Sequence, residues 1–167
     1  MVSAADETPA IADVRSVLED VRDPEIPILT IADLGILRDV AIENGEIVIV
    51  ITPTYSGCPA MNTIEQDIRA ALDAAGIAPV RIETRLAPAW TTDWLSAAGR
   101  RKLLEVGIAP PAERSTNKRL LGAAPAIACP QCGSQATERV SEFGSTACKA
   151  LYRCRECLEP FDYFKCI

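Results

Sequence analysis

Residues 43–59 read Glu43-Asn44-Gly45-Glu46-Ile47-Val48-Ile49-Val50-Ile51-Thr52-Pro53-Thr54-Tyr55-Ser56-Gly57-Cys58-Pro59, and this stretch decides the fold of the first part of the chain. Asn-Gly is the strongest short-range hairpin signal, so a strand over 36–42 is predicted to turn back into one over 47–51. The second strand is apolar at every position, which fits a strand covered on both faces, so it is placed at the centre of a sheet. Pro59 then opens a helix whose apolar face is Met61, Ile64, Ile68, Ala71, Leu72 and Ala75, and Gly76 closes it. Residues 80–86 alternate, with Val80, Ile82, Thr84 and Leu86 on one side and Arg81, Glu83 and Arg85 on the other, as in a strand with one solvated face. Strand, helix and strand in that order imply a right-handed crossover in a mixed sheet.

Working outward, residues 9–22 are read as a first helix. Thr8 is its cap, Pro9 lies in its first turn, and Ile11, Val14, Leu18 and Val21 share a face. Asp23-Pro24-Glu25-Ile26-Pro27 stops it. A third helix is predicted after Thr92, its cap, carrying Trp94, Leu95, Leu103 and Leu104; if it reaches back to Trp90, then Trp90 and Trp94 share a face, as core residues or as the mark of a partner surface. Residues 109–128 hold three prolines and no apolar period, and read as a linker.

Beyond the linker stand two Cys-x-x-Cys pairs, Cys129-Pro130-Gln131-Cys132 and Cys154-Arg155-Glu156-Cys157, separated by 21 residues. A tetrahedral metal site needs four convergent soft ligands, and each pair supplies two thiolates from one tight turn. Gly133 suits that turn because it accepts a positive φ. Zinc is the favoured ion, with iron and a cluster left open by thiolate spacing alone, and Cys148 and Cys166 stand as alternate ligands or as core residues. The predicted fold class is therefore α+β. It comprises a small mixed-sheet α/β domain over 1–108 (helix, strand, strand, helix, strand, helix), a linker over 109–128 and a zinc-ribbon-like β lobe over 129–167.

Composition narrows the chemistry. The chain of 167 residues carries a net charge of −6, which works against nucleic-acid binding, since phosphate needs a positive footprint. It contains no histidine, so Ser-His-Asp and Cys-His catalysis and the Glu-x-x-His ligands of helical di-iron sites are excluded. The opening residues have neither the basic region nor the apolar run of a signal peptide, and no stretch is long enough to span a membrane. A cytoplasmic location is expected, where the seven cysteines would stay reduced.

Two further features invite a site. Cys58 falls at a predicted helix N-terminus, where unpaired amides and the helix dipole favour a thiolate, and Thr54 and Ser56 add hydroxyl donors nearby. The cysteine is either reactive or metal-binding, or it caps the helix and fills a small gap. Asp23 and Glu25 flank a proline directly after a helix, where they bind a metal, orient a loop or serve a turn.

The runs Asp23-Pro24-Glu25-Ile26-Pro27, Thr30-Ile31-Ala32-Asp33-Leu34-Gly35-Ile36-Leu37-Arg38-Asp39 and Thr52-Pro53-Thr54-Tyr55-Ser56-Gly57-Cys58-Pro59-Ala60 resemble the SufT-like iron-sulfur assembly domain. With Thr91-Thr92-Asp93-Trp94-Leu95, Phe143-Gly144-Ser145-Thr146-Ala147-Cys148 and Pro160-Phe161-Asp162-Tyr163-Phe164-Lys165-Cys166 added, nearly the whole chain resembles the PaaD family. That resemblance implies an accessory factor for the multicomponent phenylacetyl-CoA epoxidase of aerobic phenylacetate degradation. Such a factor would assist an iron-sulfur cluster or a di-iron centre in the reductase or catalytic component. It also implies functional roles for Cys58, Asp23 and Glu25, with structural zinc in the C-terminal lobe and iron or a cluster held transiently. A permanent non-catalytic subunit and a thiol-based redox protein are the alternatives.

Overall fold

The computed structural model describes residues 10–111 and 127–165. Contacts divide the chain into two compact units, Met1–Pro88 and Ala89–Ile167.

In the first unit, helix α1 (Ile11–Leu18) is followed by strands β1 (Leu37–Glu43) and β2 (Glu46–Ile51), helix α2 (Met61–Ala74) and strand β3 (Val80–Thr84). The sheet order is β1-β2-β3, antiparallel across the hairpin and parallel across the α2 crossover. Glu43 pairs with Glu46, and Asn44 and Gly45 both take positive φ (52° and 81°), the two-residue turn that Asn-Gly favours. β2 is central, and all of Ile47–Ile51 is buried. α2 buries Ile64, Ile68 and Leu72, one residue per turn, and α1 buries Val14 and Leu18.

Two sequence expectations shift here. The first helix ends at Leu18 rather than 22, because the next residues are taken by pairing with the chain further on. The Ile31 N–H donates to Val21 O (2.9 Å), the Asp23 N–H donates to Leu29 O (2.9 Å), and Arg22 bridges Thr30. Val21 is buried without being helical, while the proposed cap Thr8 and Pro9 lie outside the described residues. β3 stops at Thr84, so Leu86 lies beyond the strand with 58% of its surface exposed.

The second unit opens with a 3-10 turn, Thr92–Trp94, capped by the Thr91 hydroxyl, which accepts from the Asp93 N–H. It continues through helix α3 (Ala97–Glu105) and strands β4 (Ile108–Ala109), β5 (Thr137–Ser141), β6 (Lys149–Cys154) and β7 (Pro160–Phe164). One sheet runs β4-β7-β6-β5, with β4 parallel to β7 and the remaining pairs antiparallel. The expected single third helix is broken at Leu95, which is extended and buried, and Ser96 caps α3 by accepting from the Gly99 N–H (2.8 Å). Trp90 and Trp94 therefore share no helix face. Trp90 is buried edge-on to Phe164 with ring centroids 6.1 Å apart, and Trp94 sits half-buried in the 3-10 turn. Leu103 is buried on α3, whereas Leu104 is exposed.

By contacts, the residues just before 108 group with the second unit. β4 pairs with β7 and Trp90 packs on Phe164, so α3 belongs with the cysteine-rich sheet, and Ala109 is strand rather than linker. Residues 112–126 of the expected linker lie outside the described residues.

Between β5 and β6 the chain is tied down at Gly144, whose N–H donates to Lys149 O (2.7 Å). A Cβ there would lie 2.7 Å from an Asp162 carboxylate oxygen, so any larger residue would have to push that side chain aside. The same carboxylate accepts from the Ser145 hydroxyl (3.3 Å) and stands 3.8 Å from the buried Lys149 ammonium.

A four-cysteine candidate metal centre and the Cys58 turn

Cys129 and Cys132 sit on one loop, Cys154 ends β6, and Cys157 lies in the turn before β7. The structure brings the four together, with all four Sγ atoms within 4.8 Å of one another. Cys129 and Cys157 approach to 3.7 Å, and Cys132 and Cys154 to 3.6 Å. Tetrahedral coordination at about 2.3 Å per bond places sulfurs about 3.8 Å apart, close to the two approaches seen here, so the donor set fits an ion such as zinc.

The two turns share one construction. The Cys129 N–H donates to Ser134 O (2.8 Å), and the Cys154 N–H donates to Glu159 O (3.0 Å). Four residues after its first cysteine, each turn enters the left-handed region, at Gly133 (φ 75°) and at Leu158 (φ 65°). Glycine suits this position, but leucine pays a steric cost there. A Cβ at Gly133 would meet no atom within 4 Å, so Gly133→Ala isolates the backbone term. It is expected to lower stability by about 1–2 kcal/mol in chemical denaturation with zinc present; an unchanged midpoint would contradict this account of the turn.

Electrostatics favour a cation at the centre. The Cys157 and Glu156 amides hold the Cys154 thiol down to about 7. The Glu159 amide favours the Cys157 thiolate, yet desolvation and the three neighbouring sulfurs outweigh it and push Cys157 up to about 12. Four thiolates this close repel one another, and a divalent ion among them reverses that penalty. Cys129 and Cys154 are buried, while Cys132 and Cys157 are exposed, so one side of the cage meets solvent. Cys148 stands apart from the cluster, buried beside the Thr146 hydroxyl (3.1 Å), and Cys166 lies outside the described residues. Sequence reading missed Tyr152 and Tyr163. Tyr163 joins Ala109, Ile127, Cys129, Ala150, Cys154 and Phe161 in one core, and Tyr152 packs against it. Alternation along β6 and β7 was the available signal.

In the first unit, Cys58 is half-buried just ahead of α2, in a turn where its N–H donates to Tyr55 O (3.2 Å). Its thiol was expected to lean toward thiolate, and the structure reverses that. Burial raises it most, the Ala60 amide partly compensates, and the charges of Glu25 and Asp23 raise it further, so the net shift is upward. Asp23 and Glu25 therefore do act on Cys58. Asp23 is buried, and its carboxylate accepts from the Glu25 (2.9 Å) and Ile26 (2.7 Å) N–H groups, so it also closes its own turn. Thr54 is half-buried in the same loop but is not among the groups acting on the sulfur. Tyr55, which sequence reading passed over, is among them through a side-chain hydrogen bond.

A mixed three-stranded lobe with one cysteine at a helix entrance, followed by a sheet holding a four-cysteine cage, defines an iron-sulfur assembly type domain joined to a zinc ribbon. Residues 11–82 match the family described as iron-sulfur cluster assembly protein, and residues 113–165 match the PaaD zinc beta ribbon domain. The chain belongs to the PaaD family. It is 50% identical over 95% of its length to an Escherichia coli (strain K12) protein, 94% of which is covered, whose provisional name makes it one of the subunits of 1,2-phenylacetyl-CoA epoxidase. It is 32% identical, over 57% of its length and 89% of the relative's, to an Fe-S protein maturation auxiliary factor of Porphyromonas gingivalis (strain ATCC BAA-308 / W83). Two solved structures are similar, each at 27% identity. A domain of unknown function, DUF59, from Bacillus anthracis has a TM-score of 0.51, covering 56% of this chain and 90% of that one. A conserved hypothetical protein of Thermotoga maritima has a TM-score of 0.50, with 58% and 96% covered. Among the described residues, no helix is long and apolar enough to cross a membrane.

Proposed function

We propose that this protein is a non-catalytic maturation factor for a multicomponent phenylacetyl-CoA epoxidase. Cys58 transiently holds iron or an iron-sulfur unit bound for that client, and the four-cysteine cage binds structural zinc. The observation that carries this reading is the setting of Cys58. One half-buried sulfur at the entrance of α2, under the charge of Asp23 and Glu25, gives a cation some attraction but no closed cage. A transfer site must both hold and release its cargo, and full coordination by four thiolates leaves no open position for that exchange. The names borne by the two curated relatives, an epoxidase subunit and an Fe-S maturation factor, agree with such a role.

The test is Cys58→Ser in cells that make the epoxidase components. The variant should fold and keep its zinc, while the iron content and activity of the client fall several-fold. Unchanged client iron would overturn the maturation reading. If this chain also co-purified with the active epoxidase in fixed ratio, a permanent structural subunit would take its place. Colourless protein with tightly held zinc would argue against a thiol redox carrier, because zinc has no redox chemistry.

A further inference from the structure

We infer that the four-cysteine cage is a site of oxidative modification by hydrogen peroxide, with Cys132 and Cys157 as the attacking sulfurs and Cys154 and Cys129 as their resolving partners across the cage. The inference rests on the reading of the cage as a thiolate metal centre and adds a second covalent state for the same four residues. Burial divides the roles. Cys132 and Cys157 are exposed, whereas Cys129 and Cys154 are only 2% and 0% exposed. Oxidant arriving from solvent therefore meets one sulfur of each turn, since susceptibility follows exposure and thiolate character. The close approaches identify the neighbour that answers. Cys157 Sγ stands 3.7 Å from Cys129 Sγ, and Cys132 Sγ stands 3.6 Å from Cys154 Sγ. Each exposed sulfur thus has a buried one beside it on the other turn. The turns themselves are held by their own backbone bonds, from the Gly133 N–H to Cys129 O (2.9 Å) and from the Cys154 N–H to Glu159 O (3.0 Å), so they stay closed while sulfurs link between them.

An exposed thiolate attacks the peroxide and its O–O bond breaks. The sulfur keeps one oxygen as a sulfenic acid, and the other leaves as hydroxide. The buried thiolate then displaces the retained oxygen as a second hydroxide, and an S–S bond forms. Two electrons pass from the sulfur pair to the peroxide, and two donors are lost to the metal. The same steps at the second pair, with a second peroxide, remove the remaining donors and free the ion. The new bonds join positions 28 and 22 residues apart, so they hold the loop before β5 to the turn before β7 in the role proposed for the ion. A bond within either Cys-x-x-Cys pair would tie nothing beyond its own turn.

The experiment treats the zinc-loaded full chain with hydrogen peroxide at neutral pH. Released zinc is followed with a zinc-binding dye, and disulfides are mapped in tryptic peptides after free thiols are blocked. Trypsin cuts after Arg155 and separates Cys154 from Cys157, while Cys129 and Cys132 stay on one peptide and are told apart by fragment sequencing. The expected result is loss of one zinc per chain with Cys129 linked to Cys157 and Cys132 linked to Cys154. Dithiothreitol with added zinc should then restore zinc binding, because a disulfide is reducible where a sulfinic acid is not. The linked form should also keep hydrogen-exchange protection in β6 and β7 under a chelator that strips it from the reduced form. Disulfides confined to Cys129–Cys132 and Cys154–Cys157 would overturn the assignment. Sulfinic acids at Cys132 and Cys157 as the sole products would do the same, as would thiols and zinc that survive the oxidant unchanged. Links between the turns in a chain that carried no zinc at the outset would uphold the sulfur pairing and discard the zinc reading.

Discussion

Chelation of the metal proposed for the four-cysteine cage, or Cys129→Ser, is expected to unfold the second unit and leave the first largely intact. Structural zinc sites of this kind carry an apparent 10–16 kcal/mol, about as much as a whole domain's stability of roughly 5–15 kcal/mol. The sheet that carries the cage has a small core to set against that loss. Its core beneath the cage comprises Ala109, Ile127, Cys129, Ala150, Cys154, Phe161 and Tyr163, so two of its seven members are themselves ligands. Without an ion, four crowded sulfurs repel and leave two buried thiols in an incomplete core. The first unit draws on separate resources, with β2 fully buried between its neighbours and apolar stripes on α1 and α2. Hydrogen exchange during chelator titration should show amides of β5, β6 and β7 losing protection while those of β2 and α2 keep it. α3 and β4 should open with the sheet, because β4 pairs only with β7 among the described strands. Loss of both units at one chelator concentration would mean that they do not fold independently.

Asp162→Ala is the second large effect, expected to cost about 3 kcal/mol in the zinc-loaded protein, because an uncompensated buried charge is left behind. The Lys149 side chain is only 7% exposed, and its ion-pair partner is the Asp162 carboxylate, itself 24% exposed. Removing the acid strands the ammonium and also frees Ser145 and Gly144, whose loop is packed on that carboxylate. Lys149→Met in the Asp162→Ala background should recover much of the loss, since replacing both members of a buried pair by apolar groups is often close to neutral. Equal destabilisation in the single and double variants would show that loop packing, not the stranded charge, sets the cost.

Much of the first unit was legible because its signals are local. Asn44-Gly45 fixed the hairpin, the run 47–51 marked the central strand, and the spacing of Ile64, Ile68 and Leu72 marked α2. The cage was legible for the same reason, since each turn is written within five residues. What stayed hidden depends on partners far along the chain. Nothing near Ile108 announces that a two-residue strand will pair in parallel with Asp162 and Tyr163, and that pairing carries α3 into the second unit. Trp90 was legible as a core residue, but its partner Phe164, edge-on to it from far along the chain, was not. The ionisation of Cys58 was misjudged because the dipole at α2 is a local feature, whereas burial and the charges of Asp23 and Glu25 come from tertiary structure.

Leu158 bears on how tightly the cage grips. Its φ of 65° is held where the matching position of the other turn uses glycine, and its side chain, 66% exposed, gains little packing in return. The two halves of the cage therefore differ in readiness. Both halves hold their sulfurs in the gathered arrangement, and the second does so against the backbone preference of Leu158. A strain of about 1 kcal/mol there weakens affinity about fivefold. Leu158→Gly is therefore expected to tighten the hold of the cage on its ion, through a residue that supplies no ligand.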